Sequence, residues 1–388
     1  MRSIAVVTTS RADYGHLLPL LRAIDNDPDL SLQLIVSGTH LSDTHGKTVA
    51  EIERDGFAIA ARVPILSESD SPAGITAAMG RAVDGFGEAF AQHPPDILVA
   101  IGDRFEMHAA ALAALPFKIP VAHISGGDVT EGAIDDALRH SLTKLSHLHF
   151  VSCEDSARRV AQMGEESWRI VTCGGLSLGN LADLRLASRQ EVESEFHLRL
   201  PDPFLLVTYH PVTLEYEQAE WQIQQLMQAL EEIDMPAVFT MPNADTANRV
   251  IANAIRHHVA SHQDASCVDN FGMPAYFSVM ALATAMVGNS SSGISEAASF
   301  ELPVVNIGTR QDGRLRPRNV IDCGYSSQEI LTALRRAVSA EFRNSLADLT
   351  NPYGCGNASV QIVHRLKSVP LGDKLIRKRF ASWNPGSE

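Results

Sequence analysis

"PVAHISGGDVTEGAIDDALRHSLTKLSHLHFVSC", residues 120–153, reads as one complete strand–helix–strand unit. An apolar run over 120–127 ends in Gly126-Gly127, a segment of helical length follows at 132–145, and a second apolar run covers 147–153. Neither run alternates polar with apolar residues. Continuous apolar strands separated by helices are the pattern of parallel strands covered on both faces, with right-handed crossovers as the default.

The same pattern extends outward on both sides. "IAVVTT" (4–9), "LQLIVSG" (32–38), "DILVAIGD" (96–103) and "RIVTCGG" (169–175) are further strand candidates, with helical stretches at 16–25, 72–91 and 106–115. After a charged stretch at 184–200 and Pro201-Asp202-Pro203, strands begin again with "FLLVTYH" (204–210). "AVFTMPN" (237–243), "SCVDNFG" (266–272), "AMVGNSS" (285–291), "PVVNIG" (303–308) and "NVIDCG" (319–324) follow. The expected fold is α/β, with two Rossmann-like doubly wound domains at 1–185 and 200–360 and a C-terminal tail at 361–388. A length of 388 residues fits two domains. Ligands of such sheets bind outside the carboxyl ends of the strands, so an interdomain cleft is the expected site.

A net charge of −14 argues against general binding to nucleic acid or to an anionic membrane, because both need a basic surface. The five cysteines are widely spaced with no Cys-x-x-Cys pair, so neither a disulfide framework nor a metal site is indicated, and reduced, buried thiols are expected. The N-terminus turns polar too soon for a signal-peptide core, and "VMALATAMV" (279–287) is too short to span a bilayer, which reads as a cytoplasmic protein.

Polar residues cluster where strands end. Arg11 follows the first strand at a helix start, where free N–H groups and the helix dipole favour an anion, with Asp13 as a candidate N-cap. There is no Gly-x-Gly-x-x-Gly, which disfavours a nicotinamide cofactor. Asp103 and Arg104 end another strand. The strand at 120–124 is expected to deliver His123 to the cleft, with Asp128, Glu131, Asp135 and Asp136 in the turn and in a helix starting near Gly132. Asp136 fits simple complementation of a helix dipole. Four carboxylates together repel one another, and proton transfer on both sides of a substrate would justify the grouping. His147 and His149 read as structural.

In the second half, His210 ends the first strand and is a candidate for phosphate binding or proton transfer. Ser290, Ser291 and Ser292 precede a helix expected near Gly293 and form a candidate anion cradle that is not a P-loop. Glu296 is placed to reach a ribose. Arg310 and Arg314 add local positive charge, while Arg316 and Arg318 are expected to be solvated.

These blocks together resemble the hydrolysing UDP-N-acetylglucosamine 2-epimerases and their relatives acting on diacetamido sugars. The similarity rests on "TSRADYGHLLPLL", "GDRFE", "AHISGGDVTEGAIDDALRHSLTKLSHLHF", "YHPVT", "MPNAD" and "VGNSSSGISEA" leading into "LPVVNIGTRQDGR", in order over about the first 325 residues. The resemblance implies a glycosyltransferase-B-like pair of domains, a homodimer or homotetramer, a nucleotide-sugar substrate, and no nicotinamide or pyridoxal cofactor. It assigns Arg11, Arg104, His210, Asn243, Ser290, Ser291, Glu296 and Arg310 to UDP, and Asp103 and Asp135 to the catalytic carboxylates. Many relatives carry glutamate where this chain has Ser125, so Asp128 or Glu131 is expected to supply the missing carboxylate. The implied reaction eliminates UDP from UDP-N-acetylglucosamine and hydrates the resulting 2-acetamidoglucal to N-acetylmannosamine. The same chemistry on UDP-2,4-diacetamido-2,4,6-trideoxyglucose or on a GDP-linked sugar, a glycosyltransferase, and a nucleotide-sugar sensor are the alternatives.

Overall fold

Seven strands, the six apolar runs of the first half and one more, pair into one parallel sheet in the computed structural model, which describes residues 1–42, 47–66, 72–131, 135–182, 184–212, 215–242 and 247–382. The strands are β1 (Arg2–Thr8), β2 (Leu30–Ser37), β3 (Ile59–Val63), β4 (Ile97–Ile101), β5 (Val121–Ile124), β6 (Leu148–Val151) and β7 (Ile170–Thr172), in the order β3-β2-β1-β4-β5-β6-β7. β4, β5 and β6 are buried at every position, as strands covered on both faces must be. β3 was not expected from the sequence. It is a half-exposed edge strand carrying Arg62, which pairs with Glu53, so it lacks the continuous apolar run that marked the others.

The second sheet is also parallel, built from β8 (Leu205–Thr208), β9 (Ala237–Thr240), β10 (Ala265–Val268), β11 (Ala285–Gly288), β12 (Val304–Ile307) and β13 (Val320–Cys323) in the order β10-β9-β8-β11-β12-β13. The strand order reverses direction between β1 and β4 in one sheet and between β8 and β11 in the other. At such switch points neighbouring connections leave on opposite faces of the sheet and a crevice opens at the strand ends.

The chain divides into two units, one formed by residues 1–128, 134–182 and 354–388, the other by residues 129–133 and 183–353. The C-terminal residues therefore belong to the first unit, which corrects the expectation of a second domain running to 360 and a separate tail. Ile362, Leu366, Val369 and Leu375 are fully buried in the first core. Arg169, also buried, donates to the carbonyls of Leu375 (2.8 Å), Lys374 (3.1 Å) and Arg377 (3.3 Å). The cysteines are free, but only Cys153 and Cys173 are buried and Cys355 is exposed. Among the described residues no helix is long and apolar enough to cross a membrane.

Candidate functional site

In the first unit the candidate side chains follow the carboxyl ends of β1, β4 and β5. The helix after β1 (Arg11–Asp25) is capped by Ser10, and Asp13 is the third helical residue of a capping box rather than the N-cap expected. Its carboxylate accepts from the amides of Thr9 (2.9 Å), Ser10 (2.7 Å) and Tyr14 (3.0 Å) and from the Thr9 hydroxyl (2.8 Å). The anion at this helix start is thus supplied by the chain itself. Arg11 is exposed and lies 3.3 Å from Glu51.

Asp103 follows β4 and forms an ion pair with Arg139, a guanidinium that is 5% exposed. Arg139 stands one turn beyond Asp135 on the helix Asp135–Leu145, so the two carboxylates and the guanidinium are brought together by a strand end and a helix face. Burial raises the Asp135 carboxyl above its ordinary range, the Asp103 charge adds to this, and Arg104 and Arg139 oppose it. Burial also works against the Arg104 charge, but Glu106, fully buried and 2.8 Å away, outweighs it and holds the guanidinium above its usual range. Asp136 sits 3.9 Å from Arg139 and 3.3 Å from His140.

Three expectations for this region change. His123 is not presented to a ligand. It is fully buried, with one ring nitrogen 2.8 Å from the Gly102 carbonyl and the other 3.1 Å from the Thr143 hydroxyl, and burial lowers its pKa to about 3. The ring joins β4, β5 and the following helix. Asp128 is engaged, since the hydroxyls of Ser152 and Ser156 both donate to its Oδ1 at 2.6 Å. Glu131 is exposed and falls in the segment assigned to the second unit, where the Val129 carbonyl accepts from Arg314 Nε at 3.4 Å. Residues 132–134 lie outside the described ones, and the helix is described from Asp135 rather than Gly132. Ser125 follows β5 with a left-handed backbone (φ 65°), a conformation a non-glycine residue adopts at a cost. His147 accepts from the Val121 amide at 3.1 Å and His149 pairs with the buried Glu165 at 3.0 Å, so both are structural.

In the second unit one residue that the sequence did not single out organises the strand ends. Asn289, fully buried after β11, accepts from the His210 amide at 2.7 Å and donates to the His210 carbonyl at 2.8 Å. Its own carbonyl accepts from Arg310 Nη1 (3.1 Å) and Gln311 Nε2 (2.8 Å). One asparagine thus ties the loops after β8, β11 and β12. Gly288 makes this approach possible: it has φ 139°, and a Cβ there would collide with the Thr208 carbonyl of β8.

His210 is buried, and burial, with Arg310 nearby, lowers its pKa to about 3. It is therefore a neutral imidazole near pH 7. Ser290 caps the short helix Ser291–Ser295, two residues earlier than expected, by accepting from the Ser292 amide at 3.3 Å. Tyr276, raised to about 12 chiefly by burial, hydrogen-bonds the Thr208 hydroxyl at 3.0 Å and reaches those of Ser290 and Ser292. Glu296 is buried behind this turn. Arg316 is not solvated as expected. It is held by Asp322 at 3.0 Å and Asp312 at 3.4 Å, whereas Arg318 is half exposed beside Asp348. Asn243 lies outside the described residues.

Asn289 and Tyr276 left no local signal, because a lone buried polar residue is recognised only through its partners. Arg139 did leave one, its spacing of four from Asp135.

Comparison with known proteins places these arrangements. The family model described as UDP-N-acetylglucosamine 2-epimerase matches residues 22–367. The GDP/UDP-N,N'-diacetylbacillosamine 2-epimerase (hydrolyzing) of Campylobacter jejuni is 38% identical over 383 residues, covering 98% of each chain. The UDP-N,N'-diacetylbacillosamine 2-epimerase (hydrolyzing) of Legionella pneumophila is 35% identical, covering 97% of this chain and 99% of that one. The crystal structure of UDP-GlcNAc 2-epimerase from Neisseria meningitidis bound to UDP-GlcNAc superposes with a TM-score of 0.81 at 19% identity, covering 95% of this chain and 100% of that one. The fold is thus the paired, Rossmann-like, glycosyltransferase-B-like one, and the chain belongs to the hydrolysing UDP-N-acetylglucosamine 2-epimerase family.

Proposed function

We propose that this epimerase acts on a UDP-linked 2,4-diacetamido-2,4,6-trideoxyhexose of the gluco configuration and releases UDP and the free manno sugar. The identities of 38% and 35% to enzymes named for diacetylbacillosamine support that substrate. UDP-N-acetylglucosamine is the second reading, favoured by the ligand of the Neisseria structure.

The observation that carries the chemistry is the unequal pair of carboxylates. Asp103 is salt-bridged to Arg139, while Asp135 is raised by burial and by Asp103 itself. A carboxyl raised in this way beside an ion-paired carboxylate is suited to be the proton donor, which leaves the ion-paired one as the base. The hydrogen on carbon 2 is hardly acidic until the bond from carbon 1 to the diphosphate oxygen begins to break. The second unit supplies the stabilisation for that departure. Arg310 provides the charge, neutral His210 and the Ser290 and Ser291 hydroxyls provide donors, and Glu296 takes the ribose. Asp103 then removes the proton from carbon 2 as UDP leaves with the electron pair of the broken bond, giving the glycal. Asp135 then gives its proton to carbon 2 on the opposite face as water adds its hydroxyl to carbon 1; the proton left by the water restores Asp135, and Asp103 releases its proton to solvent. Arg104 sits at the same strand end and is assigned to the substrate, with Arg11 as a peripheral phosphate contact. Neither Asp128, bonded to two serines, nor Glu131 is assigned a proton-transfer step.

Incubating the enzyme in heavy water with each UDP sugar tests the proposal. Deuterium at carbon 2 of the released diacetamido sugar, with slower turnover of UDP-N-acetylglucosamine, is the expected result. Faster turnover of UDP-N-acetylglucosamine selects the second reading, and release of UDP from both without deuterium incorporation overturns the elimination.

A further inference from the structure

Outside the strand ends used above, one cluster combines three ligating side chains from two helices. Glu231 lies near the end of the helix Ala219–Ile233, and His258 and His262 lie at the end of the helix Asn248–Ser261. One ligand atom from each falls within 4.8 Å of the other two. We propose that these residues form a site for one divalent ion of the zinc class, with a structural role.

The local chemistry favours such an ion. Two imidazoles and a carboxylate suit zinc and its transition-metal neighbours, whereas calcium and magnesium prefer oxygen alone. His258 lies in the last turn and His262 is the C-cap residue four positions on, and their stacked rings bring both imidazoles to one helix end. His262 Nδ1 lies 2.9 Å from the His258 carbonyl, which can only accept, so Nδ1 carries the proton and the lone pair of Nε2 is free to ligate. His258 is buried and its ring packs edge-on to Phe239, with centroids 5.5 Å apart. One ligand is therefore fixed, while the exposed Glu231 and His262 can adjust. The adjustment is modest. Bonds of about 2.0–2.1 Å place tetrahedral donors about 3.3 Å apart. The imidazoles, now nearly parallel at 17° with centroids 4.0 Å apart, must tip so that His262 turns about its Nδ1 hydrogen bond. Both helices also end here, and the carbonyl ends of helices favour positive charge.

Topology separates this cluster from the reaction. Both helices lead into strands, Ala219–Ile233 into β9 and Asn248–Ser261 into β10, so the three ligands lie at the amino ends of those strands. His210, Asn289 and Arg310 lie at the carboxyl ends. An ion held by Glu231, His258 and His262 clamps two helices together and takes no part in the chemistry. The expectation of no metal site rested on cysteine spacing, to which a His–His–Glu set is invisible.

The test uses the full chain, stripped with EDTA, dialysed, and titrated calorimetrically with zinc ion alone. A parallel titration with cobalt(II) is followed by its visible absorption. One ion per chain and a rise in Tm are expected. His262→Ala and Glu231→Gln alter exposed side chains and so preserve folding, and each weakens binding by at least about tenfold. Turnover of the UDP sugar by both variants stays at the parent rate. Absence of zinc uptake at micromolar concentration, or parent-like affinity in both variants, overturns the site, and loss of turnover in either variant overturns its structural role.

Discussion

Replacing Asn289 with alanine tests how the second unit's strand ends are held. The side chain is fully buried and makes two hydrogen bonds to one residue, accepting from the His210 amide at 2.7 Å and donating to its carbonyl at 2.8 Å. His210 is itself buried, so water does not readily replace either bond. Leaving a buried donor or acceptor unpaired costs about 1–3 kcal/mol each, which gives about 2–6 kcal/mol for the pair. Should a water enter the space left by the amide, the loss falls toward the lower end. Asn289→Asp keeps the acceptor for the His210 amide but sets an oxygen against the His210 carbonyl, so it isolates half of the interaction. Urea unfolding followed through Trp221, which lies in this unit, reads the effect. At a slope of about 3 kcal/mol per molar urea, a loss of about 3 kcal/mol moves the midpoint about 1 M lower. UDP affinity should fall as well, because Arg310 and Gln311 are anchored on the Asn289 carbonyl. A midpoint within about 0.2 M of the parent in both variants refutes the clamp.

Two further outcomes follow from the first unit. Asp103→Asn removes the proposed base and the partner of buried Arg139. Deuterium incorporation at carbon 2 should fall by about 10²–10⁴-fold, while calorimetry finds UDP affinity within a few-fold of the parent; undiminished exchange removes Asp103 from the reaction. Glu165→Gln addresses acid stability. Burial alone raises this carboxyl, but hydrogen bonds from His149, Lys144 and Lys378 outweigh it and hold the pKa down at about 2, against an ordinary 4.5. A depressed carboxyl stabilises the fold fully above its unfolded value and loses that contribution as pH falls through the folded one. The parent should therefore lose stability between about pH 4.5 and 2, and the glutamine variant, weaker at pH 7, should lose less over that window. Parallel acid-unfolding curves contradict this.

The strands at both switch points were legible because a parallel strand covered on two faces must be apolar throughout, and their ends could be found where polarity returned. The same rule hid the orientation of His123. Every residue of β5 is buried, so no alternation tells which face a side chain takes, and the ring turned inward to the Gly102 carbonyl. The edge strand β3 escaped for the opposite reason, since partial exposure allowed Arg62 within it. The return of residues 354–388 to the first core was not readable either. Nothing local to Ile362 or Leu375 says which of two apolar cores will bury it, and the helix Ala358–Ser368 finds its partner in the distant Arg11–Asp25 helix. Glu131 shows the limit of grouping by proximity in sequence. Two residues separate it from Asp128, yet the chain passes from one unit to the other between them.

The helix starts after β1 and after β11, each beside its sheet's switch point, are capped differently. After β1, the Asp13 carboxylate takes the amides of Thr9, Ser10 and Tyr14. A second anion there would meet a charge already in place, so the amides of this turn are poor phosphate donors despite the helix, and only the Arg11 side chain is left to touch a phosphate. After β11, the cap is the uncharged hydroxyl of Ser290, and the amides of Ser290 and Ser291 donate to nothing among the described residues. The helix that follows has five residues and contributes little dipole, so the donors themselves and Arg310 must supply the attraction. An acidic chain of net charge −14 cannot attract a diphosphate over its whole surface, so the attraction has to come from local groups such as these. In the first unit Asp103, after β4, and Asp135, at the start of the helix Asp135–Leu145, would under the proposed reaction suit a sugar carbon that must lose one proton and gain another. The capping chemistry of the two turns thereby makes the one after β11 the better anion site under the proposed function.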